Sequence, residues 1–289
     1  MAEPFFTGAC TALVTPFLNG NVNYPMMEQL LKRQIESGIT AVVVAGTTGE
    51  SPTLSDDEKI ELFRRCKEYA GDICKIIAST GTNSTEHAIA LSVAAEKAGA
   101  DALLIVTPYY NKATPDGLIA HYVSIAHAVS LPIILYNVPT RTGVDIPVSI
   151  CQRLAKVPNI VGIKEASSDI TKIARIKQAC GPDFSVWSGN DDQIVPCMAL
   201  GGSGVISVLS NLYPAETQMM CQAALQGDYT TAAALQRKFL PLIDLLFCEV
   251  NPIPVKAAMQ RIGYDCGSCR LPLCKLTKEH QQQIDRYFT

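Results

Sequence analysis

Short apolar runs alternate with amphipathic stretches along most of this chain. In residues 56–69 and 85–97 apolar positions return every three or four residues, and a capping serine, Ser55 or Ser84, comes before each stretch. This pattern is typical of helices that pack on a core. The apolar runs between such stretches predict eight buried strands, at residues 9–14, 41–45, 75–78, 102–106, 133–136, 161–164, 184–187 and 205–208.

Eight strand–helix units in sequence predict an α/β fold, a (β/α)8 TIM barrel, because each connection between parallel strands needs a covering helix. The barrel is expected to close near residue 210. Residues 193–215 carry no charge, but prolines and glycines divide them into a helix, a turn and a strand, which makes a poor membrane span. We predict a barrel catalytic domain at residues 1–225. A small C-terminal helical region follows at 226–289, interrupted by the Asn-Pro-Ile-Pro segment at 251–254.

The composition narrows the class of partner. Of 289 residues, 48% are hydrophobic, and 24 basic and 27 acidic side chains give a net charge of −3 without a long block of either sign. Such a chain lacks the basic surface that binds nucleic acid or an anionic membrane, so the expected partner is a small molecule. The first residues contain no basic segment followed by an apolar core, and we therefore expect a cytoplasmic protein.

The eleven cysteines are expected to be reduced thiols, most of them in the core, since an odd number cannot all pair within one chain. Cys266, Cys269, Cys274 and His280 approach the spacing of a metal site. One short cluster without a second Cys-x-x-Cys motif is weak evidence for zinc.

Lys164 is the first candidate for chemistry. It ends the apolar run 160–163, at the carboxyl end of the sixth predicted strand, where barrels of this type carry their active sites. Burial favours the neutral form of an amine and makes it a nucleophile toward ketones at neutral pH. The alternative is that Lys164 pairs with a nearby acid or extends its ammonium group to water.

Other polar side chains follow neighbouring strands. Residues 46–50, Gly-Thr-Thr-Gly-Glu, fit either an anion-binding turn or an ordinary strand-to-helix turn. Tyr109, Tyr110 and Tyr136 fit either packed aromatic side chains or proton carriers for imine formation. Arg141 fits either a solvated loop charge or a clamp that holds a substrate carboxylate with two hydrogen bonds.

Four segments together resemble the dihydrodipicolinate synthase family of pyruvate-dependent class I aldolases, which also contains N-acetylneuraminate lyase. They are Thr47-Thr48-Gly49-Glu50, Tyr109-Tyr110-Asn111-Lys112, residues 136–143 and residues 162–167. The likeness continues through Ser188-Gly189, residues 204–207 and residues 251–256, so it covers nearly the whole chain. The chain departs from the family at its late cysteine cluster and at Asn190, where an acidic residue is frequent.

The resemblance implies condensation of pyruvate with L-aspartate 4-semialdehyde in diaminopimelate and lysine biosynthesis. Lys164 would form a Schiff base with pyruvate, and the derived enamine would add to the aldehyde before the substrate amine displaces Lys164. Tyr136 would shuttle protons, with Thr47 relaying them to Tyr110. Because the lysine supplies the electron sink, the resemblance implies no metal and no organic cofactor.

The resemblance also implies how the substrates are held. Thr48 and the N–H groups of its turn would bind the pyruvate carboxylate, while Gly189 and the backbone of Ile206 would line the pyruvate pocket. Arg141 would bind the carboxylate of the semialdehyde. Tyr110 would reach into the site of a neighbouring subunit, which implies a homo-oligomer, either a dimer or a dimer of dimers.

Two rival functions stay open. A lyase of sialic or sugar acids would share Lys164, Tyr136 and the threonine turn, but need not carry a clamp at Arg141. A barrel retained as a non-enzymatic pyruvate sensor would be suggested by loss of the nucleophile or relay, and all of these residues are present.

We also expect L-lysine to inhibit weakly or not at all. Lysine-sensitive members of the family bind it near the positions of Ser51, Asn83 and Tyr109. This chain has His87 where they carry a glutamate, and Lys59 where they often carry a histidine. A fixed ammonium group repels a cationic ligand, although Asp56 is placed to supply a substitute charge.

Overall fold

The computed structural model describes residues 3–289, so residues 1 and 2, with which the predicted barrel domain begins, lie outside the described part. Eight parallel strands form a closed barrel in which each strand pairs with the next and the last pairs with the first. The barrel strands are β1 (Gly8–Ala12), β4 (Ala41–Val44), β5 (Lys75–Ser79), β6 (Ala102–Val106), β7 (Ile133–Asn137), β8 (Ile160–Glu165), β9 (Ser185–Ser188) and β10 (Gly204–Ser207). The predicted TIM barrel is confirmed, and each predicted strand end lies within two residues of the observed one.

One element was not expected from the pattern. A short antiparallel hairpin, β2 (Phe17–Leu18) and β3 (Asn21–Val22), lies between β1 and the first helix. Strands of two residues are too short for an alternation of polar and apolar positions to be read.

Helices cover the outside of the barrel. They are α1 (Tyr24–Glu36), α2 (Asp56–Ala70), α3 (Thr85–Lys97), α4 (Pro115–Ala128), α6 (Val148–Leu154), α7 (Ile170–Cys180), α8 (Ile194–Ala199) and α9 (Pro214–Leu225). The short helix α5 (Pro139–Thr142) lies instead in the loop at the carboxyl end of β7. Both predicted caps are confirmed. The Ser55 hydroxyl accepts from the Glu58 N–H while the Glu58 carboxylate accepts from the Ser55 N–H, and the Ser84 hydroxyl accepts from the His87 N–H.

Three more helices follow, α10 (Tyr229–Leu246), α11 (Ile253–Arg261) and α12 (Lys278–Tyr287). Helix α10 packs against α8 and α9, so these helices continue the outer layer of the barrel. The helical pattern is broken at residues 247–252, between α10 and α11, so the break predicted at residues 251–254 is only partly right. Ile253 and Pro254 already belong to α11, because a proline is tolerated in the first turn of a helix. The domain division at residue 225 stays a prediction. Among residues 3–289, no helix has both the length and the apolar character that a membrane crossing requires.

The barrel interior is packed rather than open. Trp187 is fully buried, stacks on Phe6 with ring centroids 4.7 Å apart, and donates its indole N–H to the Phe6 carbonyl at 3.2 Å. Phe6 comes just before β1, so this stack closes the amino-terminal end of the barrel. In barrels of this type the active site lies at the opposite end, at the carboxyl ends of the strands.

Candidate active site

A cleft of about 470 Å³ lies at the carboxyl ends of the strands. Three of the predicted site residues, Thr47, Tyr136 and Arg141, line it, together with side chains of the loops after β4, β5 and β6. These three residues come from separate parts of the chain, and the barrel brings them to one opening.

Lys164 lies beside this cleft on β8, paired in register with Tyr136 on β7 and with Trp187 on β9. It is only 6% exposed, and its Nζ stands 4.5 Å from the centroid of the Tyr136 ring. Among residues 3–289, no carboxylate forms a salt bridge with this ammonium group. The alternative of an acid-paired or water-directed lysine therefore does not describe Lys164.

Gly189 makes room for the Lys164 side chain. A Cβ atom at this position would lie 2.6 Å from the Ala166 Cβ and 3.1 Å from the Lys164 Cε. The Gly189 N–H donates to the Glu165 carbonyl at 2.7 Å, which fixes the backbone next to the lysine. Glycine is needed here for a close approach and not for a turn.

Glu165 faces the opposite side of β8 from Lys164, because side chains alternate along a strand. Its carboxylate accepts from the Asn137 amide at 2.9 and 3.0 Å and from the Ser167 N–H at 2.7 Å, and it lies 3.5 Å from the Lys172 ammonium. Lys172 also pairs with Asp145. This network ties the ends of β7 and β8 together and so fixes Tyr136 relative to Lys164.

Thr48 and Arg141, which are predicted to bind the two substrate carboxylates, both contact Asn251. The sequence analysis did not predict this partner. Asn251 donates from Nδ2 to the Thr48 hydroxyl oxygen at 2.9 Å, and its backbone carbonyl accepts from Arg141 Nη2 at 3.5 Å. Thr48 is only 3% exposed and does not line the cleft itself. Residues 251–256 carried part of the family resemblance, but no local pattern assigned Asn251 a contact.

A buried ion pair fixes the turn at residues 46–50. The carboxylate of Glu50 lies 2.6 Å from the ammonium of Lys256, and their side chains are 0% and 4% exposed. The second Glu50 oxygen accepts from the Arg270 N–H at 2.9 Å, and Thr15 donates its hydroxyl to the Gly49 carbonyl at 2.7 Å. Sequence reasoning missed Lys256 as well, because its partner is more than two hundred positions away.

Asp191 is a further buried residue near the site that the sequence analysis did not predict. It is 2% exposed, and its Oδ2 accepts from the N–H groups of Val208 and Leu209 at 2.9 Å each. Burial raises the pKa of this carboxyl, against the lowering effect of its hydrogen bonds and of the Lys164 charge. The sequence signal lies one position earlier, at Asn190, where the chain departs from the family.

Like Lys164, Thr48 and Gly189, the predicted site residues Tyr110 and Ile206 do not line the cleft of the single chain. Tyr110 is 93% exposed and has a left-handed backbone with φ of 69°. Ile206 is fully buried in the barrel interior, where it pairs in register with Cys10. The cleft itself leaves the roles predicted for both residues untested.

The residues expected to matter for lysine sensitivity line the same cleft: Ser51, Asp56, Lys59, Asn83, His87 and Tyr109. Asp56 lies between two basic groups, with its carboxylate 2.7 Å from His87 Nε2 and 3.7 Å from the Lys59 ammonium. Burial lowers the pKa of Lys59, and the Asp56 charge opposes this. The substitute charge that the sequence suggested is thus already paired.

All eleven cysteines are free. Cys266 packs against the Met259 sulfur, whereas His280 Nδ1 lies 2.6 Å from the Glu249 carboxylate. Within residues 3–289, no three histidine, cysteine or acidic side chains gather as a metal ion would require.

This chain is similar to known proteins over nearly its full length. Residues 5–289 match the model of the dihydrodipicolinate synthetase family. A 4-hydroxy-tetrahydrodipicolinate synthase of Clostridium perfringens (strain SM101 / Type A) is 46% identical over 94% of this chain and 93% of its own length.

Two solved structures are also similar. The chloride-inhibited dihydrodipicolinate synthase of Acinetobacter baumannii, complexed with pyruvate, has a TM-score of 0.95 at 43% identity over 97% of both chains. The synthase of Cyanidioschyzon merolae with lysine bound also has a TM-score of 0.95 at 43% identity, over 98% of this chain and 97% of its own. With its barrel, its buried lysine and nearly full-length similarity, this chain belongs to the dihydrodipicolinate synthetase family.

Proposed function

We propose that this chain condenses pyruvate with L-aspartate 4-semialdehyde through a Schiff base on Lys164. The activity is that of a 4-hydroxy-tetrahydrodipicolinate synthase, a lyase of diaminopimelate and lysine biosynthesis. The observation that carries the residue assignment is the buried Lys164 side chain, which lies beside the cleft with its Nζ 4.5 Å from the centroid of the Tyr136 ring. Within residues 3–289 it forms no salt bridge with a carboxylate.

The covalent steps are those of a lysine amine that adds to a ketone. Lys164 adds to the ketone carbon of pyruvate, and loss of water leaves a protonated imine that withdraws electrons from the methyl group. Loss of a methyl proton gives an enamine, whose carbon bonds to the aldehyde carbon of the second substrate while the aldehyde oxygen takes up a proton. The amine of that substrate then attacks the imine carbon, and the Lys164 amine leaves as the ring closes.

Tyr136 is the proposed proton carrier for these steps, because it pairs in register with Lys164 and its ring centroid lies 4.5 Å from Lys164 Nζ. Thr47, which lines the same cleft, would relay protons between Tyr136 and Tyr110. The high exposure of Tyr110 in the single chain supports its proposed place in the site of a second subunit.

The proposed substrate contacts are made to two carboxylates, one on pyruvate and one on the semialdehyde. Thr48 and the N–H groups of its turn would hold the pyruvate carboxylate, with Gly189 and the Ile206 backbone as the walls of that pocket. Arg141, which lines the cleft, would hold the carboxylate of the semialdehyde. Pyruvate is bound in the related A. baumannii enzyme, which supports it as the first substrate here. A cytoplasmic location remains part of the proposal.

Replacement of Arg141 by alanine tests the second substrate. Loss of a charge-assisted contact of about 1.5 to 3 kcal/mol should raise KM for the semialdehyde about 10- to 160-fold. The matched control is Arg153→Ala, which removes a surface arginine paired with the exposed Asp116. Unchanged kinetics in the Arg141 variant, or a preference of the wild type for N-acetylmannosamine, would reject the substrate assignment.

A subunit-mixing assay tests the assembly. Chains with Tyr110→Phe and chains with Lys164→Ala are expected to be inactive alone, and a mixed dimer with a shared site should regain partial activity. No recovery after verified subunit exchange would contradict the shared site.

A further inference from the structure

We propose that Asn251 is a positioning residue that turns the Thr48 hydroxyl toward the pyruvate carboxylate. The inference rests on the proposed function, because it takes Thr48 as the group that binds this carboxylate. Asn251 lies in the segment just before α11, far from the turn at residues 46–50 along the chain, and the fold brings its side chain to Thr48.

The hydrogen bond between Asn251 and Thr48 has a defined direction. Asn251 Nδ2 is a donor only, and it lies 2.9 Å from the Thr48 hydroxyl oxygen, so Thr48 is the acceptor in this contact. Both side chains are buried, with 5% and 3% exposure. The hydroxyl proton of Thr48 must then point to another acceptor, and the carboxylate of a bound 2-oxo acid is such an acceptor.

The Asn251 side-chain amide has one hydrogen-bond partner within residues 3–289, the Thr48 hydroxyl. Asn251 Oδ1 is buried and accepts no hydrogen bond there. No second partner therefore competes with Thr48 for the amide. The reverse orientation would take the Thr48 proton for Asn251 and withdraw it from the substrate.

The turn itself is fixed by other contacts. Glu50 is held by the Lys256 ammonium and by the Arg270 N–H, and the Gly49 carbonyl accepts from Thr15. A change in the Asn251 side chain is thus expected to alter the direction of the Thr48 hydroxyl while leaving the turn in place.

Asn251 also meets Arg141, but only through its backbone carbonyl. A side-chain substitution keeps this carbonyl, so the semialdehyde site should be affected much less than the pyruvate site. The proposal therefore predicts a difference between the two KM values, which a general loss of structure would not produce.

Two substitutions probe the proposed direction. Asn251→Ala removes the donor and should raise KM for pyruvate about 5-fold, the effect of one neutral hydrogen bond. Asn251→Asp replaces the donor with an acceptor that takes the Thr48 proton, and should raise it by more than about 10-fold. In both variants KM for the semialdehyde should stay within about 2-fold of wild type, the range of a contact that is retained.

A double-mutant cycle with Thr48→Val separates positioning from a structural role. If Asn251 acts through the Thr48 hydroxyl, Asn251→Ala should add nothing to the pyruvate KM once that hydroxyl is absent. Asn159→Ala is the matched control, because the Asn159 amide donates only to backbone carbonyls at the loop before β7. It should lower the unfolding temperature without changing the pyruvate KM.

Steady-state kinetics with both substrates and thermal unfolding of each variant test the positioning role of Asn251. Equal effects of Asn251→Ala in the wild-type and Thr48→Val backgrounds would overturn the proposal, as would an unchanged pyruvate KM or an equal rise in both KM values. Failure of the proposed function would give a different result, because the wild-type protein itself would then form no pyruvate adduct on Lys164.

Discussion

Replacement of Glu50 by glutamine should strongly destabilise the barrel, because it leaves the Lys256 ammonium buried without a counter-charge. The two side chains are 0% and 4% exposed, with Nζ 2.6 Å from Oε1. Removal of one partner from such a pair costs about 3 to 5 kcal/mol. The Phe17 ring, with its centroid 4.3 Å from the same Nζ, keeps a cation–π contact, so we expect a loss near the lower limit, about 3 kcal/mol.

Urea unfolding of matched variants measures this loss. Glu61→Gln is the control, because Glu61 pairs with Arg64 and Arg65 at the surface, where an ion pair contributes less than about 1 kcal/mol. The double variant Glu50→Gln, Lys256→Met removes both charges and should regain most of the lost stability. If Glu50→Gln costs no more than Glu61→Gln, the reasoning from a buried unpaired charge is wrong.

Three further predictions follow from the site and its surroundings. Gly189→Ala should lower kcat/KM for pyruvate at least about 10-fold in steady-state assays, because the new Cβ would lie 3.1 Å from the Lys164 Cε and displace the amine. Burial lowers the pKa of His121 to about 4, so the unfolded chain binds the proton first. Stability should therefore fall as the pH drops from about 6.5 to about 4, less steeply in urea titrations of His121→Gln. L-Lysine should not half-inhibit below millimolar concentration, because Asp56 is already paired with His87 and Lys59; half-inhibition well below this concentration would refute the prediction.

The barrel and the candidate nucleophile were predictable because their signals are local. A buried parallel strand is a continuous apolar run, so the eight strands could be placed within two residues. Lys164 was recognisable as an ionisable group at the end of such a run. The capping serines Ser55 and Ser84 were equally local, since a cap contacts backbone three residues away.

The supports of the site were not predictable, because they depend on contacts between distant parts of the chain. Asn251 contacts Thr48 across 203 positions, and Lys256 contacts Glu50 across 206. Nothing near Asn251 in the sequence distinguishes it from an ordinary asparagine before a proline. The burial of Asp191 likewise depends on the turn after β10, whose N–H groups its carboxylate binds.

The central claim is that Lys164 is the amine that bonds to pyruvate. Protein incubated with pyruvate and reduced with borohydride should carry a three-carbon adduct on Lys164, located by mass spectrometry of peptides. Lys164→Ala should carry none, and omission of pyruvate should leave the wild type unmodified. An adduct on Lys112 or Lys256 in its place, or no adduct at all on a folded wild-type protein, would contradict the account.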